Sequence, residues 1–154
     1  MELYVVPKGN EKYLITDKKD RKIYSVDKKR FSKQLILHDA SGYALYSLLQ
    51  ITTGIKPSFR IDFNEESFMK VTCKSIYLDP SLECEGRGMK YVIKSQDRMN
   101  FEIYKNGAKI GTIVTEKQTN NEQQYYIDVD NKAFDDYIPL FAVCADKCFS
   151  SLNK

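Results

Sequence analysis

The stretch Tyr137-Ile-Pro-Leu-Phe-Ala-Val-Cys-Ala145 holds no charged side chain, and apolar residues continue at Cys148, Phe149 and Leu152. On a helix these positions point around most of the circumference. A helix that is apolar all round must lie in a large core or in lipid. The candidate helix, about 14 to 17 residues within Asp135–Leu152, spans roughly 21–25 Å at ~1.5 Å per residue. That is short of the ~20 apolar residues a membrane crossing needs. Asp136 as N-cap places Pro139 at the third helical position, where its missing N–H costs no intrahelical bond. Asp135 and Asp136 also complement the positive end of the helix dipole.

Everything upstream of Asn131 reads as short alternating strands: Leu3–Val6, Lys12–Thr16, Lys22–Val26, Gln34–His38, Tyr43–Ile51, Ser58–Phe63, Phe68–Lys74, Met89–Lys94, Phe101–Lys105, Lys109–Thr115 and Gln124–Val129. Turn signals separate them, which argues for a sandwich or barrel. One greasy helix closing such a chain predicts a mainly β fold: a closed antiparallel β-barrel wrapped around a buried C-terminal helix. Closure also leaves no open edge.

Two hairpins can be given a register. Asn106-Gly107 is the favoured type I′ pair. It sets Tyr104 opposite Lys109 and Ile103 opposite Ile110. In the other, a three-residue loop Glu65-Glu66-Ser67 pairs Phe63 with Met69, Ile61 with Val71 and Phe59 with Cys73. A two-residue loop would place Lys70 among the phenylalanines, because a one-residue slip flips every side chain.

Composition bounds the function. The 154 residues suit a single domain, residues 1–154. The net charge of +3 is too small to argue for nucleic acid, and no nucleic-acid-binding motif is present. Met1–Lys12 lacks a signal-peptide core. A monomeric, cytoplasmic protein without a transmembrane segment is the expectation, and four cysteines fit a reducing compartment.

A family resemblance runs through the ordered motifs. Val26, Lys28–Phe31-Ser32, Leu35, Leu37, Asp39 and Gly42 come first, then Pro57-Ser-Phe-Arg-Ile-Asp-Phe63 and Val71. Phe101–Val114 around Asn106-Gly107, then Tyr126-Ile-Asp-Val129 and the closing helix, complete the set. Over roughly residues 12 to 152 the chain resembles the LURP-one-related, tubby C-terminal-like proteins. That resemblance implies a barrel of about twelve strands around a central helix. Relatives include phospholipid scramblases and the tubby proteins, which bind phosphoinositides through basic side chains.

Candidate chemistry is sparse. Residues 1–33 carry a net +5 and the remainder −2. The charge sits in two clusters, Lys18, Lys19, Arg21 and Lys22, then Lys28, Lys29, Arg30 and Lys33. A strand over Lys22–Val26 would put these clusters at opposite ends of the barrel. The second cluster is the better lipid candidate, with Phe31 able to insert beside it, although Phe31 also reads as core. Solvated turn lysines that keep strand ends soluble would look the same.

Cys73, Cys84, Cys144 and Cys148 lack the close pairs of a zinc site and read as buried apolar thiols. His38 has no identifiable orienting partner for nucleophilic catalysis. Glu83-Cys-Glu-Gly-Arg-Gly88 reads as a connecting loop, lacking the spacing of a phosphate cradle. Glu65-Glu66 and Asp135-Asp136 fit a turn and a helix start. The sequence therefore points to a non-enzymatic binding domain without metal or cofactor. It would recognise anionic phospholipid headgroups at the membrane surface through Lys28, Lys29, Arg30 and Lys33, and the alternative is a scaffold for a protein partner.

Overall fold

The computed structural model describes residues 1–153. Twelve strands run in order: β1 Glu2–Pro7, β2 Tyr13–Thr16, β3 Lys22–Lys28, β4 Leu35–Asp39, β5 Ala44–Thr52 and β6 Ser58–Phe63. They continue as β7 Glu66–Ser75, β8 Ser81–Gly86, β9 Met89–Ser95, β10 Asn100–Lys105, β11 Ala108–Lys117 and β12 Gln123–Val129. Each pairs antiparallel with its sequence neighbours, and β1 pairs with β12 to close the ring. Alternate residues point inward, as in Leu3 and Val5 of β1 or Leu35 and Leu37 of β4. The helix α1, Pro139–Phe149, runs through the lumen with nine of its residues buried. The expected plugged barrel is the observed one.

Three local expectations need correction. The helix begins at Pro139, with Ile138 as N-cap and no side-chain cap. A tight turn precedes it, in which Leu140 N donates to Tyr137 O (2.9 Å) and Phe141 N to Ile138 O (2.9 Å). Proline at the first turn is pre-set for helix and forgoes only an orphan N–H. Asp136 does not cap; its carboxylate accepts from the Tyr24 hydroxyl. The helix ends at Phe149, and Ser150–Asn153 tighten into a 3-10 turn.

The second correction is a missed strand. Ser81–Gly86 is β8, with Leu82 and Cys84 facing inward, so of the supposed connecting loop Glu83–Gly88 only Arg87-Gly88 is a turn. Its outward Glu83 and Glu85 pair with Lys74 (3.7 Å) and Lys90 (3.5 Å). Gly86 is required by its neighbour across the ladder. A Cβ there would run into the Phe68 carbonyl and stand 2.8 Å from Met69 Cα.

The third concerns register. The β6–β7 turn is the two-residue Asn64-Glu65, both with positive φ (50° and 65°), pairing Phe63 with Glu66. A bulge then absorbs Phe68, so Ile61 meets Met69, Phe59 meets Val71, and Lys70 stands opposite Arg60 on the outside. The extra residue restores the parity that a three-residue loop was invoked to provide. The Asn106-Gly107 turn has the expected φ values (48° and 88°), and Tyr104 opposes Lys109. A bulge shifts Ile103 from Ile110 to Gly111.

Gly111, like Gly86, faces backbone across the ladder: an added Cβ would lie 2.8 Å from Val129 Cα. Gly86→Ala and Gly111→Ala are each expected to lower the free energy of unfolding by about 1–3 kcal/mol, the usual cost of overpacking. Urea unfolding monitored by circular dichroism checks this. An unchanged midpoint in both variants would show that the strands can part at no cost.

A candidate functional site at the mouth where the helix ends

Because every hairpin reverses direction, the connections alternate between two rims. Turns Asp17–Arg21, Ala40–Tyr43, Asn64–Glu65, Arg87–Gly88 and Asn106–Gly107 share the rim where α1 enters. Loops 8–12, 29–34, 53–57, 76–80, 96–99 and 118–122 share the rim where it ends. The two basic clusters therefore sit at opposite ends. At the entry rim Lys18 is paired with Glu2 (2.8 Å) and Arg21 with Asp17 (2.8 Å). Lys18 and Glu2 shift each other away from neutrality through their mutual hydrogen bond.

At the exit rim the loop 29–34 is held by Lys29 N donating to Gln34 O (2.7 Å), Ser32 N to Lys29 O (3.1 Å) and Gln34 N to Ser32 Oγ (3.0 Å). Phe31 takes φ 59° and its side chain is 94% exposed. The core reading of Phe31 is thus wrong, and the Arg30 guanidinium lies 4.9 Å from its ring centroid.

Inside this loop a cavity of about 360 Å³ opens between the barrel wall and the end of α1. Leu35, Leu48 and Phe59 form its apolar wall, and Lys28, Lys33 and Lys147 also line it. One carboxylate answers them. Glu11, at φ 59° in the β1–β2 loop, accepts from Lys147 Nζ (3.1 Å) and lies 4.0 Å from Lys28 Nζ.

Of the four predicted residues, then, Lys28 and Lys33 line the cavity. Lys29 instead borders a cleft of about 430 Å³ on the outer wall, and Arg30 projects with Phe31. Lys147 was missed: it is more than 110 residues away in sequence. The signal that could have found it is the polarity of the plug. A helix entering at the end of β12 must deliver its last turn to the rim that carries loop 29–34.

The neighbouring turn of α1 is anchored beneath. Asp146 accepts from Tyr13 OH (2.7 Å) and Tyr125 OH (2.5 Å). Burial, then the Asp146 charge and its hydrogen bond, push both phenols well above the usual range. At the other end Tyr91 and Tyr137 share a hydroxyl contact of 2.5 Å.

Other clefts carry less. One, of about 650 Å³, lies on the outer wall across β9–β11. Its Glu102 is paired with Lys109 (2.9 Å) and its Lys94 lies over Tyr104 (4.6 Å). In the outer cleft beside Lys29, Asp62 holds Arg60 in a two-point contact (2.7 and 3.1 Å). His38 faces outward on β4, 3.8 Å from Asp27. All four thiols are free and buried. Burial pushes the Cys84 and Cys144 thiols up, away from the thiolate that nucleophilic or metal chemistry needs. Among the described residues no group of His, Cys, Asp or Glu converges as metal ligands would, and no helix is long and apolar enough to cross a membrane.

No curated protein matches the chain. An Arabidopsis thaliana protein solved by X-ray crystallography shares its fold, with a TM-score of 0.61 at 12% identity, over 99% of this chain and 91% of that one. The family described as LURP-one-related matches residues 1–146. With its twelve-stranded ring and helical plug, this chain belongs to the LURP-one-related family.

Proposed function

We propose that this protein is a binding module that takes the anionic headgroup of a phospholipid into the exit-rim cavity. The convergence of Lys28, Lys33 and Lys147 on one apolar-walled space carries the reading. Three lysines against the single carboxylate of Glu11 leave a surplus of positive charge in the lining, which favours an anion of about headgroup size. Each basic residue near an anionic membrane contributes about 1 kcal/mol, fading over a Debye length. The protein then works peripherally at a membrane surface.

Vesicle co-sedimentation tests this. The protein is expected to be retained on phosphatidylcholine vesicles containing phosphatidylserine and to stay free of pure phosphatidylcholine. Lys28→Gln, Lys33→Gln and Lys147→Gln combined are expected to lower the partition coefficient about a hundredfold, from ~1 kcal/mol per charge. Equal retention on neutral and acidic vesicles would sink the headgroup reading.

A further inference from the structure

We propose that the exit rim is a bilayer-docking face, with Phe31, Ile55, Tyr77 and Leu78 entering the headgroup–acyl boundary of an anionic phospholipid membrane. The inference rests on the headgroup reading of the cavity between these loops, but the two can fail separately. Strand order follows chain order, so loops 29–34, 53–57 and 76–80 are consecutive along the rim and form one arc. Each carries a large apolar side chain at its tip: Phe31 is 94% exposed, Leu78 84%, Ile55 71% and Tyr77 67%. The rest of the rim is different in kind, with Gln118-Thr-Asn-Asn-Glu122 and Lys8-Gly-Asn-Glu-Lys12 both polar.

The tips are presented by ordered backbone. Phe31 sits at φ 59°, a conformation that bulky side chains rarely adopt, and its loop is closed by three hydrogen bonds. In the next loop but one, the Ser75 hydroxyl donates to the Leu78 carbonyl. Gly54, at φ 102°, precedes Ile55. Nothing in the fold requires these apolar groups to face water. A rim that displays them at fixed positions is shaped to lose them into another phase.

Charge selects the phase. The same three loops and their strand ends carry Lys28, Lys29, Arg30, Lys33 and Lys56 against one carboxylate, Asp79. Apolar tips ringed by cations match the interface of an anionic bilayer, where apolar burial and attraction to acidic lipid act together. A protein partner would need a continuous, closely packed patch. Three separate tips around a cavity suit a fluid surface.

The chain contains no tryptophan, so Phe31→Trp, Leu78→Trp and, on the opposite rim, Tyr43→Trp each install a single reporter. With phosphatidylserine-containing vesicles, emission at positions 31 and 78 is expected to shift blue and to be quenched by brominated acyl chains. Position 43 should not respond. The double variant Phe31→Ser with Leu78→Ser should lose on the order of tenfold or more in partition, since each side chain withdraws apolar area from water.

An unquenched Phe31→Trp on bound vesicles, a quenched Tyr43→Trp, or a double variant that partitions like the parent overturns the docking face and leaves the headgroup site standing. Equal quenching on neutral vesicles overturns the selection of an anionic bilayer that the docking face claims and removes the headgroup reading with it. A Phe31→Trp emission that is already blue and depends on protein concentration without lipid assigns the face to a second copy, and the proposal falls. Failure to bind any vesicle removes both.

Discussion

Phe141→Asp yields no cooperatively folded barrel. Phe141 is fully buried in the first turn of the plug, its ring 5.0 Å from Tyr91 and 5.9 Å from Tyr137. Deleting a buried phenylalanine ring costs about 3–5 kcal/mol from lost burial and the cavity it leaves. An unpaired carboxylate in its place costs several more. The total reaches the whole stability of an ordinary domain, about 5–15 kcal/mol. Ala145→Lys, at an equally buried position of the same helix, should act alike. Phe141→Leu keeps an apolar side chain and serves as the folded control. Far-ultraviolet circular dichroism and a urea titration decide it; a sharp transition for Phe141→Asp near the parent midpoint would contradict the plug.

Asp146→Ala is expected to cost about 3–5 kcal/mol while leaving the fold intact. Tyr13 and Tyr125 both donate to this carboxylate, and a hydrogen bond to a charged group is worth about 1.5–3 kcal/mol. Asp146→Asn should cost less, because its amide oxygen still accepts from one phenol and its nitrogen can donate to the other. The same pair sets the alkaline limit. Burial and the Asp146 charge raise both phenols in the folded state above their ordinary value of 10.0. Their contribution is therefore whole below about pH 10 and is lost as pH climbs toward the folded values. Tyrosinate absorbance should show these two of the eleven tyrosines ionising only as the chain unfolds. Free titration of all eleven in folded protein would refute the buried Tyr–Asp–Tyr arrangement.

The plug was legible because nine consecutive uncharged residues leave few other options, and the strands because their alternation is local. Where the reading slipped, a second element held the missing information. β8 was hidden by Glu83, Glu85 and Gly86, which look like a loop until β7 and β9 supply their partners. The bulge at Phe68 reverses a parity argument that was sound for regular strands. Asp136 looked like a cap, but the hydroxyl of Tyr24, 112 residues away, claims it.

The candidate site divided along the same line. Lys28 and Lys33 were visible as a local cluster and line the same cavity. Lys147 and Glu11 join them only through the direction in which the helix threads the ring. Phe31 was misread because an aromatic between strands usually packs inward, whereas here a left-handed turn throws it out.

The β1–β12 pairing gives the ring a property that open sheets lack. Every strand is held on both sides, so none can peel away without breaking two ladders at once. The wall should therefore open as one cooperative unit. The rim loops belong to no ladder of their own, so what they display is set by their own turns and hydrogen bonds while the wall stays sealed.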